Sequence, residues 1–232
     1  MNFLSAFFTR NVSHTTEFFE SEGHRVPVQV FAPNEPGPFP AVLAMHGSGG
    51  IGEGWAEEPA SLLASRGFVV CVLHYFERTS TNWADDRSIR ANFETWMKTI
   101  CDAITWAGTQ AGVDAERVAL LGFSLGGYLA LSVAAVDPRV KAVVEYFGGL
   151  PEELIEHAHR IAPTLILHGE RDNTVPVTEA HKLKKMFEDT GTDFEIKLYP
   201  NAGHAFSGMD MLDAGQRTLN FLERKLKQHS DR

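Results

Sequence analysis

Ser124 has a glycine two residues before it and another two residues after it, and the spacing Gly122-Phe123-Ser124-Leu125-Gly126 suits a nucleophile mounted on a turn. An apolar run, Val118 to Leu121, leads in, and a helical run leads out. On such a strand-to-helix turn the flanking positions have no room for a Cβ. The glycines therefore let the chain fold back and aim Ser124 Oγ away from the strand. The same turn leaves the Leu125 N–H at a helix start, where the dipole favours developing negative charge. One turn thus supplies a nucleophile and half of an oxyanion hole. The bland alternative is a Gly-rich helix start that serves close packing alone.

A serine hydroxyl is a poor nucleophile at neutral pH and needs a histidine in contact, itself oriented by a carboxylate. For a strand-turn-helix nucleophile the expected chain order is serine, acid, histidine. Asp172 follows the apolar strand that ends near Leu167, and His204 follows the strand that ends at Tyr199; both suit these roles. Glu145, inside its own apolar strand, and Glu170 are the rival acids. Among other histidines, His46 heads a Gly-rich loop and reads as structural, while His14, His24 and His181 fall on edge or helical surfaces.

The loop His46-Gly47-Ser48-Gly49-Gly50 leaves the strand Ala41 to Met45 and can bring a backbone N–H close to a substrate oxygen. Ser48 is the expected donor, with Gly49 next. A phosphate-cradling loop would need Gly-Lys-Ser/Thr or a dinucleotide fingerprint, and neither is present. His157 and His159 are two apart, which on a helix sends them in different directions, and no HExxH occurs, so neither a metal nor a cofactor is expected.

The elements that must hold these residues can be read in chain order. Thr15 to Glu20 and Val26 to Phe31, split by Ser21-Glu22-Gly23, predict an antiparallel hairpin at a sheet edge. Prolines 33, 36, 38 and 40 force a loop. A helix is expected from about Trp55 to Arg66 with Gly67 as its left-handed cap, then a doubly buried strand, Phe68 to Leu73. His74 to Arg87 reads as an irregular, site-lining loop in which Trp83 and Phe76, together with Phe206 further on, are candidates for lining an acyl pocket. A helix from about Ser88 to Thr109 leads through Gly112-Val113-Asp114 to the serine strand. Val140 to Tyr146 and Pro163 to Leu167 predict strands, with His168 to Asp172 as a polar exit. Pro176 to Thr190 predicts a helix, Phe194 to Tyr199 a strand and Met209 to Lys227 a closing amphipathic helix. This alternation predicts an α/β fold with a mostly parallel central sheet and helices on both faces, as one domain over residues 1–232. Ligands bind such sheets at the carboxyl ends of the strands, where three polar motifs converge.

Composition narrows the partners. With 21 basic and 30 acidic residues among 232, the formal charge is −9, which disfavours nucleic acid and anionic membrane. No apolar run approaches a membrane span, and Met1 to Arg10 lacks the features of a secretory leader, so a cytoplasmic protein is expected. Cys71 and Cys101 sit in no metal or redox motif. The expected partner is a small-molecule ester or lactone; nothing in the sequence sets an oligomeric state.

These residues resemble the α/β-hydrolase superfamily and, within it, the dienelactone hydrolase family. The resemblance runs from about Pro40 to the C-terminal helix and rests on His46-Gly47-Ser48-Gly49-Gly50, Tyr75-Phe76-Glu77-Arg78, Gly122-Phe123-Ser124-Leu125-Gly126-Gly127, Asp172 and Gly203-His204-Ala205-Phe206. It implies that Ser124, Asp172 and His204 form a triad, that the Ser48 and Leu125 amides form the oxyanion hole, and that Arg78 helps to hold a substrate carboxylate. An ion pair of Arg78 with Glu77 or Asp85 is the other role open to it. Three departures stand out. Serine replaces the family's usual cysteine, Gly47 replaces a glutamate before the oxyanion residue, and a second arginine after the histidine is missing near Gly208. The lost features serve lactones bearing a carboxylate, so the expectation is a serine hydrolase of carboxylic esters with an acyl-enzyme. A thioesterase, a small-peptide hydrolase with the same triad, and a binder without turnover are the alternatives.

Overall fold

A computed structural model describes residues 11–52 and 56–227. The leader reading of Met1 to Arg10 and the start of the first helix at Trp55 lie outside the described residues. Among the described residues eight strands form one sheet: β1 (Val12–Ser21), β2 (His24–Pro33), β3 (Phe39–Met45), β4 (Val69–Leu73), β5 (Val113–Phe123), β6 (Val140–Tyr146), β7 (Thr164–Gly169) and β8 (Phe194–Tyr199). Their order is β1-β2-β4-β3-β5-β6-β7-β8. The first hairpin is antiparallel and β2 meets β4 antiparallel; every other pair is parallel. The expected hairpin forms with β1 at the edge, and its tight turn carries Glu22 and Gly23 at φ 46° and 80°.

Among the described residues five α-helices, α1 (Glu57–Ser65), α2 (Asp86–Ala107), α3 (Leu125–Val136), α4 (Thr178–Thr190) and α5 (Gly208–Lys227), cover the sheet. On one face Trp96 and Ile100 of α2, Leu129 of α3 and Leu183 of α4 join Leu43 and Leu120. On the other face Ala60 and Leu63 of α1 and Leu219 and Phe221 of α5 join Val42, Ala119 and Leu121. The parallel strands are apolar without a break because alternate side chains feed two cores. That is why runs such as Val69 to Leu73, buried throughout, carry no alternation.

Two differences from the sequence reading matter for the site. β7 extends through Gly169, so His168 is not in a polar exit but inside the sheet and fully buried. The loop before α2 contains a 3₁₀ turn, Tyr75–Thr79, whose Tyr75 and Phe76 are buried in the core against Trp96, and Asp85 caps α2 by accepting from Ser88 N–H at 2.8 Å.

Candidate active site

Ser124 sits between β5 and α3 with φ 55° and ψ −117°. This is a conformation that L-residues resist and that surrounding bonds must impose. Its N–H donates to Tyr146 O at 2.9 Å, and its carbonyl accepts from Gly127 and Tyr128 N–H at 2.8 and 3.1 Å. The steric argument for the glycines holds in detail. A Cβ on Gly122 would collide with the Gly126 carbonyl, and one on Gly126 would collide with the Met45 carbonyl and stand 2.7 Å from that of His46. All of these obstacles are backbone, so no side-chain motion could make room.

Asp172 and His204 come to Ser124 from the loops after β7 and β8, with the exit of β6 between them and the serine turn. Two hydrogen bonds lace those loops together, Glu170 N–H to Tyr199 O at 3.0 Å and Arg171 N–H to Ala202 O at 3.0 Å. Asp172 has its side chain fully buried; Oδ1 accepts from Thr174 and Val175 N–H at 2.8 and 2.9 Å, and Oδ2 lies 2.8 Å from His204 Nδ1. His204 Nε2 lies 2.9 Å from Ser124 Oγ. A carboxylate only accepts, so Nδ1 bears the proton and Nε2 is left free to accept from the serine hydroxyl.

Phe147, at φ 45°, lies 4.8 Å ring to ring from His204, with its N–H on Leu167 O at 2.8 Å. The sequence reading had overlooked this residue. Its only sequence signal is its place at a strand exit before Gly148-Gly149.

The oxyanion candidates sit on either side of the serine. Leu125 opens α3, and Gly47 lies so close that a Cβ there would be 3.3 Å from Ser124 Cβ, which brings the Gly47–Ser48 peptide beside the nucleophile. Ser48 O accepts from Ala84 N–H at 2.9 Å, joining this loop to the segment that carries Trp83.

Other expected residues are placed elsewhere. Arg78 does not pair with Glu77 or Asp85; its guanidinium lies 3.0 Å from Glu22 in the β1–β2 turn, and Lys98 engages the other oxygen of the same carboxylate. Phe206 is 4% exposed and packs against Phe147, Tyr146 and Tyr199 in the core, and Phe76 is equally buried, whereas Trp83 stands 64% exposed. Glu145, the rival acid, accepts from Gly148 N–H at 2.6 Å, while its other oxygen has no hydrogen-bond partner among the described residues.

Burial pushes the Glu145 carboxyl up to about 8 from an ordinary 4.5. A raised carboxyl stabilises the fold fully below about 4.5 and progressively less as pH climbs to about 8. Glu145→Gln keeps an oxygen for Gly148 and has nothing to ionise. Its stability should therefore gain on the parent between pH 5 and pH 8, by about 2 to 3 kcal/mol at neutrality, and the gap between the two thermal midpoints should widen with it. Melting curves across that range check this, and a constant difference would refute it.

A mostly parallel sheet with a strained serine between strand and helix, and with an acid and a histidine on later loops, defines an α/β-hydrolase fold. Residues 26–216 match the sequence profile of the dienelactone hydrolase family, and the chain belongs to that family. It is thus a hydrolase of the ester-acting kind. A Yersinia pestis protein named "Putative carboxymethylenebutenolidase" is 27% identical over 206 residues, covering 81% of this chain and 76% of that one. Mouse acyl-coenzyme A thioesterase 1 is 34% identical over 145 residues, 59% of this chain and 32% of its own length. A solved Klebsiella pneumoniae structure titled "Putative Dienelactone Hydrolase" superposes with a TM-score of 0.82 at 22% identity, covering 92% of this chain and 99% of that one. Among the described residues no helix is long and apolar enough to cross a membrane.

Proposed function

We propose that the protein hydrolyses carboxylic esters of small molecules through a Ser124-His204-Asp172 triad and an acyl-enzyme. The observation that carries this reading is the unbroken relay from Ser124 Oγ through both ring nitrogens of His204 to Asp172 Oδ2, at 2.9 and 2.8 Å. His204 Nε2 takes the hydroxyl proton as Ser124 Oγ attacks the ester carbonyl, and Asp172 stabilises the imidazolium that forms. The N–H groups of Ser48 and Leu125 receive the oxyanion, and collapse expels the alcohol with the proton from His204. Water, deprotonated by His204, then releases the acid. Arg78, committed to Glu22, and Phe206, buried in the core, have no part in this machinery.

An acyl thioester is the second substrate worth testing, because the mouse relative is named a thioesterase. A fluorophosphonate should label Ser124, and turnover should be found within a panel of p-nitrophenyl esters from acetate to laurate, beside one dienelactone and one acyl-coenzyme A. The largest kcat/KM should fall within the p-nitrophenyl series. No label and no turnover would return the protein to the binder reading, and a thioester preference would move it to the second substrate.

A further inference from the structure

We propose that His46 is the positioning residue of the oxyanion hole, its Nδ1–H fixing the Gly47–Ser48 peptide so that the Ser48 N–H faces the substrate carbonyl. This rests on the ester-hydrolase reading and adds to it a residue that touches no reacting atom. In a trans peptide the C=O and the N–H point in opposite directions. Whatever holds the Gly47 oxygen therefore decides where the Ser48 N–H is aimed.

Two donors hold that oxygen, His46 Nδ1 at 2.7 Å and the Gly50 N–H at 3.1 Å. A carbonyl only accepts, so the proton of the neutral ring is on Nδ1. Turning the peptide over would break both bonds and bring a carbonyl oxygen toward the developing anion.

The ring itself is fixed. Tyr75 stacks on it at 4.2 Å with an interplanar angle of 14°, Phe76 meets it edge-on at 4.6 Å, and the Tyr75 hydroxyl donates to His46 O at 2.8 Å. His46 is 1% exposed, and burial drives its pKa down to about 4, with the neighbouring His74 acting in the same direction. The ring is thus neutral in ordinary buffers, and its bond to Gly47 does not come and go with pH across the neutral range. Such a donor needs no reorganisation when charge develops, which is the source of oxyanion-hole catalysis.

Two substitutions separate the hydrogen bond from the packing. His46→Phe keeps a ring for Tyr75 but has no N–H; His46→Asn can place an amide N–H where Nδ1 stands but loses the ring. His46→Phe should lower kcat about 10- to 100-fold, less than or comparable to outright loss of an oxyanion donor. KM should change little, and inhibition by a boronic acid that forms a tetrahedral adduct should weaken by a similar factor. His46→Asn should recover most of kcat.

A folded His46→Phe with parental kcat, or a folded His46→Asn no better than it, would overturn the proposal. Should the variants fail to fold, ¹⁵N NMR of the parent protein decides. An Nδ1-protonated, Nε2-bare ring at pH 7 is expected, and the opposite tautomer refutes the clamp. Failure of the triad is distinguishable, since it would surface as ester hydrolysis surviving Ser124→Ala, whatever the His46 tautomer.

Discussion

Ser124→Ala should lower kcat for the best ester by about 10⁴- to 10⁶-fold, the scale on which triad nucleophiles act. The substitution removes Oγ, the atom 2.9 Å from His204 Nε2. It leaves the fold alone. The strained φ of 55° is held by backbone bonds, Ser124 N–H to Tyr146 O and the Gly127 and Tyr128 N–H groups to Ser124 O, and none of them involves the hydroxyl. The thermal midpoint should therefore stay within a few degrees, a stability change of about 1 kcal/mol or less. Steady-state turnover and a melting curve on the same preparation check both halves. Retention of ester hydrolysis by the folded variant would remove Ser124 from the mechanism.

The contrast between what the chain reveals locally and what only folding reveals runs through the site. The serine turn was legible because its glycines answer a steric demand made within five residues, and the backbone obstacles facing Gly122 and Gly126 are that demand made visible. The strands were legible because a sheet fed from two cores needs unbroken apolar runs, and the places of Asp172 and His204 followed from where two such runs stop. His168 was misplaced for the same reason turned round. A histidine after Leu167 reads as the end of apolar sequence, yet β7 continues two residues further and buries its ring, with Nε2–H on Val175 O at 2.9 Å. Hydropathy marks a strand's end only where the buried residue is apolar.

Arg78 marks another limit. Charged neighbours in sequence, Glu77 and Asp85, were the natural partners, but Asp85 caps α2 and the guanidinium reaches a hairpin turn 56 residues away. Pairing across a sheet edge depends on register, which no local spacing contains. The consequence reaches function. An arginine whose position suggested recognition of a substrate carboxylate is held by a carboxylate of its own chain. Together with Gly47 in place of an acidic side chain, this supports a site built for esters without a free carboxylate.

Asp172→Asn should be nearly as damaging as loss of the serine, about 10⁴-fold in kcat near neutral pH, the scale seen when a triad acid is made an amide. The structure dictates which way the amide must turn. Oδ1 accepts from two backbone donors, Thr174 and Val175 N–H, so the asparagine oxygen is drawn there and its NH₂ is turned toward His204. Facing a donor instead of an acceptor, His204 Nδ1 must surrender its proton to Nε2. The ring then presents an N–H to Ser124 Oγ and cannot take its proton, although every heavy atom keeps its place. Shape is preserved and chemistry is lost, so the variant should melt close to the parent and bind a non-covalent substrate analogue with much less change than its kcat shows. Raising the pH should restore part of the rate, because hydroxide can remove a serine proton that the histidine no longer accepts. A variant that keeps the parent's turnover would mean that the 2.8 Å contact between Asp172 and His204 does not set the tautomer, and the acid would have to be sought elsewhere.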